Sequence, residues 1–483
     1  MKKGKLISCL ILIGIILALP SVFYLVKNTG NIAEYAGEYY YWIGESGEGF
    51  TKFGAIIFGW CILLMFLIYV KLIRKSDQFD SIKDILIAAG IVGIAFVIAL
   101  PNTSKDVFFY MGNGRAIDKY NVNPYTTSVA EIEDLDTTDV LLKTVGNQKQ
   151  YKFVYGPVFL TICGLLNRVS FSSVALFLYE FKILNFIMYL ATTYLIYKLT
   201  NRKKLAVCFA FNPLVLLEVL VNVHNDIFVV FFALMGIWFI KEGNKIKETS
   251  ALDTVKSEIM FIDGLLFLAI SACIKYIVIA IIPFLIIYKI RKENRVRKIL
   301  HGALFLIVFV TIFFALYNPY FKTPMDAFSG VVEQSSKFKD SIYLLIVKIT
   351  EEDSNLVSIF YSIGFFVLAY VFIIKILKQI FRKNNFKVAM DNSFIILFGL
   401  IFLALTNLTS WYLLWLFIPL FWTNGKKVKD FIWVGLLYEL TYIMFYLTHS
   451  DSTVYQVWIL PWIAFGMIAR EIFLSLKGKE LND

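Results

Sequence analysis

Asp106 and the polar residues around it are the part of this sequence best suited to chemistry. The stretch from Ser104 to Tyr125 directly follows a long apolar run, and it carries a carboxylate (Asp106), a guanidinium (Arg115) and several aromatic side chains, among them Tyr110. A carboxylate at a boundary between water and membrane can stay ionised and accept a proton from a hydroxyl nucleophile. A solvated helix cap is the other common role of such an aspartate, so the interpretation as a base depends on its neighbours.

A second polar group interrupts an apolar segment near residue 220. Four of its members follow the spacing i, i+4, i+7 and i+8, which would place them on one face of a continuous helix. They are Glu218, Asn222, Asn225 and Asp226, and His224 lies among them. Because a carboxylate costs about 2.5–3.5 kcal/mol at the centre of a membrane helix, the group predicts a functional site. The alternative is a structural hydrogen-bond network between helices.

Two lysines and two aromatic residues in apolar surroundings are further candidates. Lys275 lies between short apolar segments with no acid near it in the sequence, which favours a phosphate partner, although its ammonium could also extend to the membrane surface. Lys182 lies two positions from Glu180 and is expected to pair with that or another carboxylate, or with a bound anion. Trp411 and Tyr412 could stack on a sugar ring or simply belong to an interfacial aromatic belt.

The composition predicts that these residues are positioned by membrane helices. The chain has 483 residues, of which 59% are hydrophobic and 17% aromatic, and its mean hydropathy is +0.70. Apolar segments recur from residue 6 to residue 475, which leaves no room for a large soluble domain. Lipid cannot satisfy open backbone groups, so the segments must be helices. We expect a single all-α polytopic membrane domain, residues 1–483, with roughly 13–14 transmembrane helices.

The candidate spans cover approximately residues 6–26, 53–73, 84–101, 172–199, 204–220, 226–241, 258–272, 275–291, 298–317, 356–380, 391–406, 411–424, 430–448 and 453–475. The first follows a short basic stretch but is longer than the apolar core of a usual signal peptide, and no cleavage site is obvious. It is therefore expected to be a retained anchor.

Basic residues concentrate in every other connection between these spans, as the positive-inside rule requires. Both termini are therefore expected in the cytoplasm of a cell-membrane protein, with the long loop 102–156, the second loop 318–355 and the candidate site outside. This alternation requires Val158–Leu166 to enter the membrane and return to the same side; the sequence leaves open whether 157–169 spans instead. The net charge of +11 has the same topological origin, so nucleic-acid binding is not expected.

Metal and cofactor motifs are not evident in the sequence. The five cysteines lie singly in apolar segments and there are only three histidines, which disfavours a structural zinc site or a disulfide framework. No glycine-rich nucleotide loop and no D-x-D motif occurs, so neither a cofactor nor a nucleotide-sugar donor is indicated. A divalent metal would be possible only if Asp106, Glu218 and Asp226 converge.

Several short motifs occur in an order that resembles a known family. They are Ser104-x-Asp106-Val-x-x-Tyr110, Gly114-Arg115, Asn123-Pro124-Tyr125, Tyr155-Gly156-Pro157, Asn212-Pro213-Leu-Val-Leu-Leu-Glu218, His224-Asn225-Asp226 and Trp411-Tyr412-Leu-Leu-Trp415. Together they resemble the polytopic GT-C glycosyltransferases, in particular the polyprenol-phosphate-mannose-dependent mannosyltransferases of bacterial envelopes. The resemblance covers residues from about 90 to about 420 and is carried by the ordered set of motifs.

This resemblance implies transfer of mannose or another hexose from a polyprenyl-phosphate donor to an envelope glycan or lipid acceptor, on the outer face and without a nucleotide. Asp106 would be the general base of an inverting reaction. From the resemblance or from the patterns above, substrate contacts are expected at Tyr110, Arg115, Lys182, Glu218, His224, Asn225, Asp226, Lys275, Trp411 and Tyr412.

Two other functions remain open at this point. The charged residues in apolar segments, among them Glu180, Lys182 and Glu439, could line the path of a transporter or a lipid-linked sugar flippase. No repeated halves are visible, and the long external loop would have no evident task in a transporter. A glycan polymerase or ligase would share the outward-facing site and the lipid-linked donor.

Overall fold

In the residues it describes, the computed structural model of the protein contains only helices and the turns and loops that connect them. It describes residues 2–27, 49–247, 249–293, 295–320, 328–335, 354–382, 384–406, 408–423 and 425–448, with the single residues 32, 343, 466 and 470. No strand occurs in these ranges, which confirms the predicted all-α class. Most of the loop 318–355 and the last predicted span, 453–475, lie outside the described residues.

Within the described residues, six helices are long and apolar enough to cross a membrane, and a seventh span results if one bent helix pair is counted as a single crossing. They are Lys3–Val22, Ile56–Arg74, Val174–Thr200, Val296–Tyr320, Leu356–Phe381 and Phe386–Ala404, with the pair Lys203–Ala210 and Pro213–Val221 bent by 48°. The described part of the chain is thus a multi-pass membrane protein. The larger count from the sequence also included shorter apolar helices, such as Tyr276–Lys289 and Ser410–Leu420.

The chain folds as two compact units. The first contains Met1–Phe231, Tyr317–Gln334 and Glu439–Ser450. Its helices are α1 (Lys3–Lys27), α2 (Gly49–Arg74), α3 (Ile82–Val97), α4 (Asp106–Asp118), α5 (Val129–Glu133), α6 (Val140–Lys143), α7 (Pro157–Val169), α8 (Val174–Thr200), α9 (Lys203–Ala210) and α10 (Pro213–Val215), with short 3₁₀ turns at Ser76–Gln78 and Gly146–Gln150 and a π-helix at Leu216–Val221.

The second unit contains Phe232–Leu316, Ser335–Tyr438 and Asp451–Asp483. Along the chain the remaining helices are α11 (Asp226–Gly243), α12 (Ala251–Ala272), α13 (Ile282–Lys289), α14 (Arg295–Tyr317), α15 (Ser329–Ser335), α16 (Ser354–Phe381), α17 (Phe386–Gly399), α18 (Phe417–Leu420) and α19 (Gly425–Thr448), with 3₁₀ turns at Tyr276–Ile281, Ile290–Lys292, Asn318–Tyr320 and Ser410–Leu416 and a π-helix at Leu400–Ala404. Helices α11, α14, α15 and α19 have residues in both units.

The predicted external loop 102–156 is built mainly from short helices. Ser128 and Glu131 form a capping box that starts α5, and the Asp139 side chain accepts a hydrogen bond from the Leu141 N–H at the start of α6. The loop is also tied to a segment much later in the chain. The Asn123 amide donates to the Tyr320 carbonyl oxygen at 3.0 Å, and the Ser329 hydroxyl donates to the Tyr125 carbonyl oxygen at 2.6 Å.

Helix α7, which occupies the region where the sequence predicted a dip, is too short for a full crossing. Its 13 residues rise about 20 Å, against the roughly 30 Å of a hydrocarbon core. It begins with Pro157 at its first turn, where a missing N–H costs nothing. Helix α7 packs along α4.

Gly114 allows α4 and α7 to approach each other closely. A Cβ atom at this position would lie 2.7 Å from the Cys163 carbonyl carbon of α7, closer than real Cβ atoms approach backbone. Gly114 therefore sets the distance between the helix that carries Asp106 and the helix behind it.

Replacement of Gly114 by alanine should destabilise the protein, by about 1–3 kcal/mol, because the backbone of α7 cannot move aside as a flexible side chain could. The matched control is Gly90→Ala in α3, where a new Cβ meets no atom within 4 Å. That change should be neutral or stabilising by up to about 1 kcal/mol, since alanine favours a helix interior. Thermal unfolding in detergent measures both, and equal shifts for the two variants would contradict the steric argument.

Candidate functional site

The polar group near residue 220 lies on a broken helix rather than a continuous one. The Asn212 side chain accepts the Leu214 N–H and starts α10, which passes into the π-helix. The π-helix ends at Asn222, and a new helix starts at Asp226. The single helical face suggested by the spacing is therefore not formed; the chain turns between residues 222 and 225 and brings the polar side chains together by that turn.

Val223, within this turn, has an unfavourable backbone conformation. Its φ of 64° lies in the left-handed region, where a β-branched residue is a genuine outlier. Such a conformation costs on the order of 1–3 kcal/mol and persists only where the surrounding structure holds it. The His224 N–H donates to the Glu218 carbonyl oxygen at 2.9 Å, which closes the turn and fixes the direction of the His224 side chain.

Helix α8 holds the turn from the side. The Lys182 ammonium donates to the carbonyl oxygens of Leu220 and Val221 at 2.9 and 2.8 Å. The Asn185 amide donates to the carbonyl oxygens of Val219 and His224 at 3.0 and 3.1 Å. These carbonyls end a helix and would otherwise lack donors. The two side chains thus satisfy the buried backbone around the strained residue.

The predicted roles of Lys182 change accordingly. Its side chain is fully buried, and its ammonium binds backbone carbonyls rather than Glu180. The prediction of an ion pair with Glu180 is wrong, because the end of the π-helix lies closer and supplies two oxygens with partial negative charge. Lys182 thus stabilises the turn that carries His224.

Asp106 opens α4, and neighbouring donors hold its carboxylate. Gln148 donates to Oδ1 at 3.1 Å and the Tyr155 hydroxyl donates to Oδ2 at 3.3 Å. The His224 Nδ1 atom lies 3.6 Å from Oδ2. The Asp106 side chain is 15% exposed, whereas that of His224 is fully buried. Asp106 is therefore the accessible end of a polar array that continues inward.

His224 lies between Asp106 and Glu218. Its Nε2 atom is 3.3 Å from the Glu218 Oε2 atom, which also accepts a hydrogen bond from the Asn222 amide at 2.9 Å. The Asn222 side-chain oxygen accepts the backbone N–H groups of Asn102 and Thr103, each at 3.1 Å. The turn is thus joined to the chain just before Asp106. The structure thus brings Asp106 and His224 together.

The other predicted residues near Asp106 differ in exposure and contact. Tyr110 is fully buried, its ring edge meets Tyr155 with centroids 5.3 Å apart, and its hydroxyl interacts electrostatically with both Asp106 and Asp226. Asn225 is fully buried, and no described residue makes a hydrogen bond with its side-chain amide. Four of the predicted residues are fully buried, whereas Asp106 is partly exposed: Glu218, His224, Asn225 and Asp226.

Arg115 is at the other end of α4. Nine residues separate it from Asp106, or about 13 Å along the helix axis. Its guanidinium pairs with Asp139 at 2.8 Å and donates to the Ser172 hydroxyl at 2.8 Å. Arg115 therefore links α4 to the start of α6 and does not lie beside Asp106.

The second unit brings together three other predicted residues. The Lys275 ammonium lies 5.1 Å from the ring centroid of Tyr412 and 5.3 Å from that of Trp415. The Tyr412 and Trp415 rings stack with centroids 4.5 Å apart, and Trp411 lies next to Tyr412 at 6.0 Å. A cation near aromatic faces is stabilised by their quadrupoles. Lys275 and this aromatic motif, which the sequence singled out separately, meet within this unit.

Among the described residues, no group of three or more His, Cys, Asp or Glu side chains is arranged to hold a metal ion. Asp106 and Glu218 each approach His224 instead. The groups that this arrangement brings together are those of a proton-transfer site: a carboxylate near the surface, an imidazole and a second carboxylate.

A comparison with protein families decides the identity of the chain. Residues 11–291 match the family described as "Alpha-(1->6)-mannopyranosyltransferase, N-terminal domain". The matched range covers more than half of the sequence and includes Asp106, Lys182, Glu218, His224 and Lys275.

The chain belongs to the alpha-(1->6)-mannopyranosyltransferase family. It is a multi-pass membrane mannosyltransferase, which confirms the resemblance found in the sequence motifs. No curated protein and no solved structure matches it. The aromatic motif of the second unit and Glu439 lie beyond the matched range.

Several contacts of this mannosyltransferase escaped the sequence reasoning. Gln148 and Asn185 carry no distinguishing neighbours in the sequence, and only folding brings them to Asp106 and to the 219–224 turn. Tyr155 had a signal, since it opens the Tyr155-Gly156-Pro157 motif. Glu439 was named in the sequence only as a residue that could line a transport path, and its contact with Glu218 was not predicted.

Replacing Lys182 with methionine in the mannosyltransferase should cost stability, by about 1–3 kcal/mol for each carbonyl left without a donor. It should also lower activity, since the strained turn that carries His224 loses its support. Lys198→Met is the matched control on α8, where the lysine side chain is exposed. Thermal unfolding and mannose transfer measure the two effects; a Lys182 variant as stable and active as the control would refute the supporting role.

The cluster around Asp139 predicts a pH dependence of stability. Burial acts to raise the pKa of Asp139, but hydrogen bonds from Lys119, Arg115 and Tyr120 outweigh it and hold the pKa at about 2, below the usual 3.8. A carboxylate with a lowered pKa stabilises the folded state above its unfolded-state pKa, and this contribution is lost as the pH falls through the folded-state value.

Asp139→Asn should therefore lower the free energy of unfolding by about 1–3 kcal/mol at pH 7. The difference from the unmodified protein should shrink as the pH falls from about 4 toward 2. Asp134→Asn, which changes an exposed carboxylate in the same segment, is the control and should have little effect. A stability difference that stays constant over this pH range would show that charge is not what Asp139 contributes.

Proposed function

We propose that this mannosyltransferase takes mannose from a polyprenyl-phosphate donor and transfers it to a glycan or glycolipid acceptor at the outer face of the membrane, with Asp106 as the general base. The observation that carries the proposal is the position of the Asp106 carboxylate. It is partly exposed, it stands at the start of α4, and Gln148 and Tyr155 hold it in one orientation. A general base needs this combination of access and fixed direction.

The proposed reaction is a single displacement with inversion. The acceptor hydroxyl oxygen attacks the anomeric carbon of mannose while Asp106 takes the hydroxyl proton. The bond from that carbon to the phosphate oxygen breaks, and the polyprenyl phosphate leaves with the electron pair. Confining a lipid-linked donor and an acceptor to one membrane surface reduces the entropy cost of bringing them together.

The outward orientation is supported by charge distribution. Lys71 and Arg74 end α2, and Lys198 and Arg202 lie at the end of α8. If each predicted span crosses the membrane once, both of these helix ends lie on the side opposite to the 102–156 segment. Their positive charge favours the cytoplasmic side. The segment that carries Asp106 then lies outside.

The transporter and flippase alternatives lose their main support. They depended on charged residues lining a path, but Lys182 binds backbone carbonyls. Membership in a mannosyltransferase family also favours an enzyme. A polymerase or ligase would use the same kind of lipid-linked donor with a different acceptor. Transfer of labelled mannose to a defined mannoside acceptor therefore distinguishes the two functions.

Asp106→Asn tests the proposed base. The amide preserves the size of the side chain but cannot accept the proton, so turnover should fall by at least about a hundredfold, within the 10²–10⁴-fold range of general bases. Transfer of labelled mannose from a synthetic polyprenyl-phosphate mannose to a mannoside acceptor measures it. Asp118→Asn, at the other end of α4 where the acid pairs with Arg168, is the control. Near-normal turnover of the Asp106 variant would remove Asp106 from the mechanism.

A further inference from the structure

The polar array behind Asp106 has the composition and order of a proton path. A carboxylate lies near one ring nitrogen of His224 and a second carboxylate lies near the other, at 3.6 and 3.3 Å. A neutral imidazole can accept a proton at one nitrogen while it releases the proton of the other. Both contacts are slightly longer than hydrogen bonds, as contacts in catalytic sites often are before substrate binds.

Burial gives the array a direction. The Asp106 side chain is 15% exposed, while those of His224 and Glu218 are completely buried. A hydroxyl group of a substrate can therefore reach Asp106 but not the two residues behind it. His224 lies between the accessible carboxylate and the buried one, so it offers a path for a proton from Asp106 to Glu218.

A second buried acid lies at the inner end. The carboxyl group of Glu439, on α19, interacts electrostatically with that of Glu218, and both side chains are fully buried. Two ionised carboxylates close together in an apolar interior repel and lose their hydration, so such a pair holds one proton between its two members. The pair therefore keeps one site that can accept a further proton, and the Asn222 amide donates a hydrogen bond to the Glu218 Oε2 atom of this pair.

We propose that the proton removed from the acceptor hydroxyl does not stay on Asp106 but passes through His224 to Glu218. This inference rests on the proposed role of Asp106 as the base. Asp106 accepts the proton and delivers it to the His224 Nδ1 atom, and the proton on Nε2 moves to the Glu218 Oε2 atom. No charge is gained or lost in total. After the glycosylated acceptor has left, the proton returns by the same route to water at Asp106.

The relay would make the transfer harder to reverse. A protonated Asp106 beside the new glycosidic oxygen is an acid well placed to protonate that oxygen and so promote bond cleavage. Moving the proton inward restores the Asp106 carboxylate while the product is still bound. His224 and Glu218 touch no substrate in this scheme; they act through Asp106, and the Lys182 and Asn185 contacts keep His224 between the two acids.

The test uses the full chain in lipid vesicles, with labelled polyprenyl-phosphate mannose and a mannoside acceptor under single-turnover conditions. Glu218→Gln keeps the shape of the side chain but removes the proton acceptor. We expect the transfer rate to fall at least about tenfold with unchanged donor affinity. The dependence of the rate on the deuterium content of the solvent should be curved for the unmodified protein, where several protons move, and linear for the variant. Glu180→Gln, a carboxyl outside the array, should match the unmodified protein.

His224→Gln gives a second measurement that does not depend on the folding of the Glu218 variant. Its amide can bridge the two acids but cannot carry a proton between them, so the same loss and the same linear dependence are expected. The double variant should fall no further than either single variant, because both changes interrupt one path. Additive losses would point to two separate structural defects and would overturn the relay.

The outcomes separate the relay from the proposed function. If Glu218→Gln transfers mannose within twofold of the normal rate, or if its loss appears as weaker donor binding and lower thermal stability, the relay is wrong. If Asp106→Asn is inactive in the same preparation, the base assignment survives that failure. If Asp106→Asn is itself active, the proposed function is wrong and the relay falls with it.

Discussion

The placement of an imidazole between two carboxylates inside an apolar body is the constraint on which the first unit depends. Each of these groups loses hydration on burial, and only its neighbours can compensate. The chain supplies them from separate elements: α4 brings Asp106, the π-helix brings Glu218, and the turn brings His224. The contacts explain why a valine accepts a left-handed conformation at residue 223, since a relaxed turn would redirect the imidazole that follows it.

Support for this arrangement comes from two directions. From within the membrane body, α8 donates four hydrogen bonds to the turn through Lys182 and Asn185. From the polar side, the short helices of the 102–156 segment hold α4 at both ends. Gln148 and Tyr155 contact Asp106 at its beginning, and Asp139 pairs with Arg115 near its end. A helix fixed near both ends presents its first residue in a defined position.

The fold class and the position of Asp106 could be predicted from the sequence. The backbone path near residue 220 and the partners of two charged residues could not, for physical reasons. Apolar runs and alternating basic loops indicated an all-α membrane protein, and an acid after an apolar run indicated Asp106. The spacing of Glu218 and Asp226 suggested one helical face, but local spacing does not reveal a π-helix followed by a turn. Lys182 and Arg115 were predicted to contact substrate; in the structure their side chains bind backbone carbonyls and Asp139, which are distant in the sequence and which only tertiary folding brings near.

The hydrogen bonds from Asn123 to Tyr320 and from Ser329 to Tyr125 join positions 197 and 204 residues apart. During synthesis, a nascent chain that has not yet reached residue 320 cannot form either of them, although Asp106, Glu218 and His224 have all been made. The 102–156 segment therefore completes its bonding only after residues 320 and 329 have been synthesised. The connectivity of the chain sets this order in time.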